Sequence, residues 1–403
     1  MGKKKQKKWC LPRHRVVTAL MRVIMFPILT IKYGFRYKKF QHDKRNYLVL
    51  FNHQTANDQF YVGYLFNTKT YYVTSDDLSL IPFVGWVLKV LVHIIPYKKA
   101  STDFGILKTC KQVANEGGNI CMAPEGNRTY SGKTGHINPT ISKMIRFLKL
   151  PVAFVNIKGG YGSLPRFAKK VRRGRVTSVV TRVLEYEEYK DLSDEEIFNI
   201  VKKELYVDES LPDSSFKSKR KAEFIERVVY LCTNCGMVHF KSKGDYLECP
   251  VCHSKLKYNE YKQFESVYGN IKFKNVSEWY DYQREELLKL KLLELDPDKE
   301  LFKEKTDFYE VIPRKHKLLI AKNAIVSLYP NRVELSYDDK KMVLLYDDIN
   351  SSGVFGGNKM DYFLDEHTYQ LKYDNSFNVL KYVQYYYKYK MEKGENPDEF
   401  FGI

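Results

Sequence analysis

The apolar run Leu48-Val49-Leu50-Phe51 ends in Asn52-His53, and Asp58 follows five residues after the histidine. Four consecutive apolar residues read as a strand buried on both faces, so His53 stands where that strand leaves its sheet. On one continuous helix the two side chains would point about 140° apart, from the 100° per residue of helical geometry. A fold that lets them meet must turn the chain between them. A histidine held by a carboxylate is the equipment for taking a proton from a hydroxyl, the acid fixing the imidazole in one tautomer.

Strand-like and helix-like stretches alternate from Asn46 to about residue 205. Apolar runs at 47–51, 71–74, 92–96, 120–123 and 152–157 predict buried strands, and amphipathic stretches at 60–66, 83–91, 103–115 and 140–148 predict helices between them. This pattern predicts an α/β fold with a mixed or largely parallel sheet flanked by helices.

Three further segments of this region carry chemistry. Ile94-Ile95-Pro96-Tyr97 leads into the adjacent cations Lys98 and Lys99, and Ala123-Pro124 into a turn with Glu125, Gly126, Asn127 and Arg128. The third is the strand of Leu150-Pro151-Val152 and the residues after it. Arg128 can fork onto a phosphate, Gly126 lets backbone approach a ligand, and Lys98 or Lys99 adds a point charge from a neighbouring strand end. Together with His53 they would form an anion cradle beside a base.

In this order the four segments resemble the glycerolipid acyltransferase family that includes bacterial 1-acylglycerol-3-phosphate acyltransferases. The family's Asn-His signature with an Asp five residues later matches Asn52, His53 and Asp58. Its Pro-Glu-Gly-x-Arg turn matches Pro124, Glu125, Gly126 and Arg128, and its hydrophobic proline strand matches Leu150 to Val152. Where the family places Phe-x-x-Arg, this chain has Tyr97-Lys98-Lys99, and a lysine lacks the bidentate fork of an arginine. The resemblance implies that His53 is the general base, oriented by Asp58. It further implies that Asn52, Lys98, Lys99, Glu125, Gly126 and Arg128 bind the phosphorylated acceptor, while the acyl group arrives as a thioester of coenzyme A or acyl carrier protein.

The formal charge of +19 suits anionic partners but does not choose among lipid headgroups, phosphorylated substrates, an acidic carrier protein and nucleic acid. The N-terminus narrows the choice. Lys3, Lys4, Lys5, Lys7 and Lys8 precede a run from Val16 to Ile31 that is apolar apart from Thr18, Arg22 and Thr30, and Lys32, Arg36, Lys38 and Lys39 follow it. No small-residue cleavage site follows the apolar run, and Gln6 occupies the position where myristoylation wants Ser or Thr. Arg22 and Pro27 interrupt the run, so a helix lying in the membrane plane on the cytoplasmic face is expected rather than a spanning one.

Seven cysteines do not form the framework of a secreted disulfide domain. Four of them, Cys232, Cys235, Cys249 and Cys252, form two C-x-x-C knuckles separated by a hairpin-length stretch, the spacing of a structural Zn²⁺ site in a zinc ribbon. His253 lies beside the last ligand and is spare. Residues 211–221 read as a polar mobile linker, 276–305 as an amphipathic helix, and the remainder as seven short strands (318–321, 324–329, 332–337, 341–346, 349–355, 360–364 and 368–373) separated by turn residues and closed by a helix over 376–391, an arrangement resembling the pleckstrin-homology-like fold.

The expected organisation is therefore a membrane-associating helix (1–44), an acyltransferase domain (45–210), a zinc ribbon (226–262), a helical linker (263–310) and a β-rich domain (311–403). The expected reaction is acyl transfer to 1-acyl-sn-glycerol 3-phosphate, giving phosphatidic acid, with another lysophospholipid or glycerol 3-phosphate as the alternative acceptor. A zinc-ribbon nucleic-acid-binding protein is the rival of a different class. It leaves the His53 and Asp58 pair and the apolar N-terminus without a use, so no nucleic-acid partner is expected.

Overall fold

The computed structural model describes residues 8–40, 44–75, 84–86, 90, 92–97, 104–312 and 317–395. Two compact units emerge: Met1–Arg128 with Thr134–Ser163 and Arg173–Glu209, and Thr129–Lys133 with Leu164–Arg172 and Ser210–Ile403.

The first unit is α/β. In chain order it contains α1 (Pro12–Tyr33), β1 (Phe35–Tyr37), β2 (Leu48–Phe51), α2 (Asp58–Gly63), β3 (Thr70–Ser75), α3 (Val84–Trp86), β4 (Ile95–Tyr97) and α4 (Phe104–Asn115). It continues with β5 (Asn119–Met122), α5 (Ile141–Leu148), β6 (Val152–Lys158), α6 (Gly160–Ser163), β7 (Val176–Leu184), α7 (Tyr186–Tyr189) and α8 (Asp194–Leu205). The seven strands run in the order β1-β7-β6-β2-β5-β3-β4, and only the β6–β7 pairing is antiparallel. The sheet is thus mixed, as expected. Strands β1 and β7 were not foreseen. Val176 to Leu184 is interrupted by Thr177, Ser178, Thr181 and Arg182, the mark of a strand near an edge, and β1 is too short to show a period.

Every residue of β2 is buried, as a central strand covered on both faces requires. Leu48 and Leu50 join a core with Val113 of α4, Ile145 of α5 and Val201 of α8, while α2 packs over β6 and β7. α8 starts on a capping box in which Ser193 and Glu196 satisfy each other's backbone N–H groups.

α1 has two faces. His14, Leu29 and Tyr33 are buried against the unit, whereas Val16, Leu20, Val23, Ile24 and Ile31 form an exposed apolar stripe, with Val23 74% and Ile31 77% exposed. By length and apolar content the helix is long enough to cross a bilayer. It ends at Gly34, whose φ of 61° is the left-handed turn that glycine tolerates best.

The second unit opens with a hairpin, β8 (Leu231–Cys232) and β9 (Gly236–Met237). A four-stranded antiparallel sheet follows, of β10 (Lys241–Lys243), β11 (Tyr246–Glu248), β12 (Lys255–Tyr258) and β13 (Phe264–Tyr268). Helix α9 (Val276–Lys289) carries the fully buried Trp279, whose Nε1 donates to Leu231 O at 2.8 Å. The stretch expected as a polar mobile linker is packed instead. Phe216 is buried and its N–H donates to Glu260 O at 2.7 Å, while Lys221 pairs with Asp245 at 2.6 Å. One buried aromatic outweighs a polar composition.

The last sheet holds seven antiparallel strands in the order β17-β16-β15-β14-β20-β19-β18: β14 (Phe302–Val311), β15 (Lys317–Leu328), β16 (Arg332–Tyr337), β17 (Lys340–Leu345), β18 (Ser351–Phe355), β19 (Lys359–Phe363) and β20 (Thr368–Lys372). α10 (Leu380–Glu392) follows. Seven strands and a closing helix were expected, but the first is different. Phe302 to Lys305 belongs to β14 and not to a helix, and the two strands read at 318–321 and 324–329 are the single strand β15. Asn323, taken for a turn, sits at φ 57° where the β14–β15 register shifts, and its N–H donates to Asp307 Oδ1 at 3.0 Å.

Candidate active site

β2, β5 and β6 are neighbours and parallel, with Leu50 opposite both Met122 and Phe154. The His53 segment and the Pro124–Arg128 turn therefore leave the same end of the sheet, where ligands bind in open α/β folds.

The chain turns over residues 54–57, and Asp58 is the first residue of α2. Its carboxylate gathers the turn: Oδ2 accepts from Gln54 N at 2.7 Å and Thr55 N at 3.0 Å, and Oδ1 accepts from the Thr55 hydroxyl at 2.8 Å. The positive end of α2 adds to this. His53 Nδ1 lies 2.8 Å from Asp58 Oδ2. With Nδ1–H donating to the acid, the lone pair of the imidazole is on Nε2. Asp58 is fully buried, whereas the His53 side chain is 27% exposed, so the pair is anchored at the acid and open at the base.

The other residues singled out from the sequence divide in two. Asn52 is buried with both ends of its amide engaged: Nδ2 donates to Ile157 O at 2.9 Å and Oδ1 accepts from Ile157 N at 2.8 Å. It joins the end of β2 to β6. Glu125, 5% exposed, accepts from His53 N at 2.6 Å through Oε1 and from Gly135 N at 2.6 Å through Oε2. Burial pushes its carboxyl up to about 8, opposed by the two N–H groups and reinforced by Asp58. Each of these four polar atoms is engaged by main chain.

Gly126 is the exposed member of the turn. Gly126 has φ 66°, the left-handed region that favours glycine, and a Cβ there would meet no atom within 4 Å, so the backbone is open to an approaching group. Arg128 is half-buried on the same turn. Lys98 and Lys99 lie outside the described residues. Four participants were not found from the sequence: Thr55, Gly135, Ile157 and Tyr161, whose N–H donates to Gln54 Oε1 at 3.1 Å. An apolar residue or a glycine that contributes only its backbone leaves no signal in residue type.

Residues 34–158 match the family model described as Acyltransferase. This stretch is similar to that family. Among solved structures, the 1-acyl-sn-glycerophosphate (LPA) acyltransferase PlsC from Thermotoga maritima is similar at 20% identity, with a TM-score of 0.42, over 48% of this chain and 78% of that one. No curated protein matches. The matched stretch contains the histidine and aspartate pair, the Glu125 turn and Leu150-Pro151 leading into β6.

In the second unit, the Sγ atoms of Cys232, Cys235, Cys249 and Cys252 all lie within 4.8 Å of one another, with 3.8 Å between Cys232 and Cys252 and 4.0 Å between Cys249 and Cys235. Thiolates at the corners of a tetrahedron with zinc–sulfur bonds of about 2.3 Å stand about 3.8 Å apart. The cluster fits a zinc ribbon. Gly236 follows the first knuckle at φ 76°. His253 points to Glu248, 3.8 Å away and largely exposed, and takes no part in the cluster.

Proposed function

We propose that the protein is a membrane-associated glycerolipid acyltransferase that moves an acyl group from a thioester, acyl-CoA or acyl carrier protein, to the free hydroxyl of 1-acyl-sn-glycerol 3-phosphate. The observation that carries this reading is the 2.8 Å contact between His53 Nδ1 and Asp58 Oδ2 inside a segment that matches the Acyltransferase family model. His53 Nε2 takes the hydroxyl proton as the oxygen attacks the thioester carbonyl. The new C–O bond forms, the C–S bond breaks, and the proton goes on to the departing thiolate. Asp58 holds the ring and stabilises the imidazolium that forms transiently. No covalent acyl-enzyme is required.

Arg128 supports a phosphorylated acceptor, because a guanidinium on a turn that Gly126 leaves open can fork onto a phosphate. Lys98 and Lys99 supply further positive charge in this reading. The exposed apolar stripe of α1, following five N-terminal lysines, supports in-plane attachment to an anionic cytoplasmic leaflet, which would present the lysophospholipid to the site. Zn²⁺ held by the four cysteines would be structural, since four thiolates leave no open position for chemistry.

The test is purified protein in detergent with a labelled acyl thioester and acceptors from glycerol 3-phosphate to lysophospholipids. Acylation of lysophosphatidic acid above all others is the expected result, and preference for another acceptor would reassign the substrate. Absence of transfer to every acceptor, with salt-sensitive retention on heparin instead, would overturn the enzyme reading in favour of nucleic-acid binding.

A further inference from the structure

We infer that Glu125 is a positioning residue and not an acceptor ligand: its carboxyl group is a strut from the main-chain N–H of His53 to the main-chain N–H of Gly135. The inference rests on the acyl-transfer reading for its consequence, though not for its geometry.

Both bonds are 2.6 Å, at the short end for N–H···O contacts, and they use one oxygen each. With 5% exposure the group has no open side from which to reach a substrate. The far end of the strut is itself fixed. Thr134, beside Gly135, donates its N–H to Val207 O at 3.0 Å and its hydroxyl to Leu205 O at 2.9 Å, and accepts from Val207 N at 2.9 Å. Gly135 is therefore tied to the end of α8. The near end is the residue that carries the base. The backbone at His53 is held through Asn52 to β6 and through Glu125 to the segment after β5, while its ring is held by Asp58 on α2.

Space around Gly135 is matched to this arrangement. A Cβ there would lie 3.2 Å from Glu125 Oε2, closer than ordinary contact, so a side chain at this position would push on the strut. A glycine nine residues from the nearest matching motif residue but one thus belongs to the site through its N–H alone. What the strut controls is where Nε2 of His53 stands, and a displacement of about 1 Å in such a group can cost about 100-fold in rate.

The experiment compares Glu125→Gln and Gly135→Ala with the unaltered full-length chain. Glutamine keeps the length but offers an NH2 group to one of the two N–H donors, so one bond is lost. Two readouts are taken: the kcat and KM split with lysophosphatidic acid and an acyl thioester, and backbone hydrogen exchange at residues 53–55 and 134–136. We expect Glu125→Gln to lower kcat roughly 10- to 100-fold with KM for the acceptor changed less than about 2-fold, and both peptides to exchange faster. Gly135→Ala should move both readouts the same way to a smaller extent. A raised KM with unchanged kcat would make Glu125 an acceptor ligand and overturn the inference, as would unchanged exchange at both peptides. If the unaltered protein acylates no acceptor, the acyl-transfer reading fails, and exchange alone decides whether the strut exists.

Discussion

Arg22, halfway along the apolar helix α1, donates to the main-chain oxygen of Gly63 at 2.5 Å, where α2 ends. It also donates to Phe66 O, and the Tyr64 hydroxyl returns a bond to Arg22 O at 2.6 Å. A cation at the carbonyl end of a helix is favourable, and this helix is the one that Asp58 begins. The charge that interrupts the apolar run thus faces protein, while the stripe through Val16, Leu20, Val23 and Ile31 stays apolar.

The two faces of α1 should separate under mutation. Val23→Asp with Ile31→Asp should abolish sedimentation with vesicles of anionic phospholipid and leave the melting temperature within about 2 °C, as expected for exposed positions. Arg22→Ala should do the reverse, leaving two carbonyls without their donor at a cost of about 1–3 kcal/mol. Unchanged vesicle binding by the double variant would place the lipid contact elsewhere.

Replacement of the base is the simplest test of the chemistry. His53→Ala should lower acyl transfer by about 10³-fold or more, with circular dichroism and zinc content as in the parent. Asp58→Asn should be comparably inactive and also less stable, because the same carboxylate accepts the N–H groups of Gln54 and Thr55. Residual activity near the parental level for His53→Ala would remove the general-base role.

Arg128→Ala should raise KM for lysophosphatidic acid by about 10-fold or more with little change in kcat, since loss of a charged hydrogen bond costs about 1.5–3 kcal/mol. The same variant should handle an acceptor without phosphate as the parent does. Equal loss on both acceptors would contradict a phosphate contact.

Metal analysis should find one zinc per chain, and Cys232→Ser or a strong chelator should release it. Because ligand binding and folding are coupled in such modules, removal should lower the melting temperature and expose Trp279, whose indole is buried against the main chain of Leu231 beside the first knuckle. Tryptophan fluorescence that ignores chelation would argue against a structural metal.

Glu125 gives the stability a pH dependence with a defined sign. Its folded value is raised from 4.5 to about 8, so between those limits the unfolded chain has released a proton that the folded chain keeps. Stability contributed by this group therefore falls as pH rises through that window. Denaturation midpoints of the parent and of Glu125→Gln, measured from pH 4.5 to 8, should converge as pH rises if the carboxyl behaves so. Parallel curves would show that it ionises at an ordinary value.

Much of the candidate site was legible because the proposed chemistry depends on side-chain type. His53, Asp58, Glu125, Gly126 and Arg128 stand out in one dimension through ordered motifs, and the four cysteines through spacing alone. What escaped is carried by main chain: the N–H of Gly135 and the peptide of Ile157 have no signature, so the bonds that Glu125 and Asn52 make to them could not be read from residue type. In the fold, the buried parallel strands were visible as unbroken apolar runs. Short or polar strands such as β1 and β7, and the bulge at Asn323, depend on partners distant in the chain.

The sequence by itself determined the alternation of strands and helices in the α/β unit, the apolar character of the N-terminal helix and the spacing of two cysteine knuckles that could hold a metal, because hydrophobic periodicity and ligand type are local properties. Only the tertiary structure decided which polar groups of the candidate site are engaged by other parts of the chain. Asp58 engages Nδ1 of His53 and Glu125 engages its backbone N–H, and those contacts arise when β2, β5 and α2 are brought together at one end of the sheet.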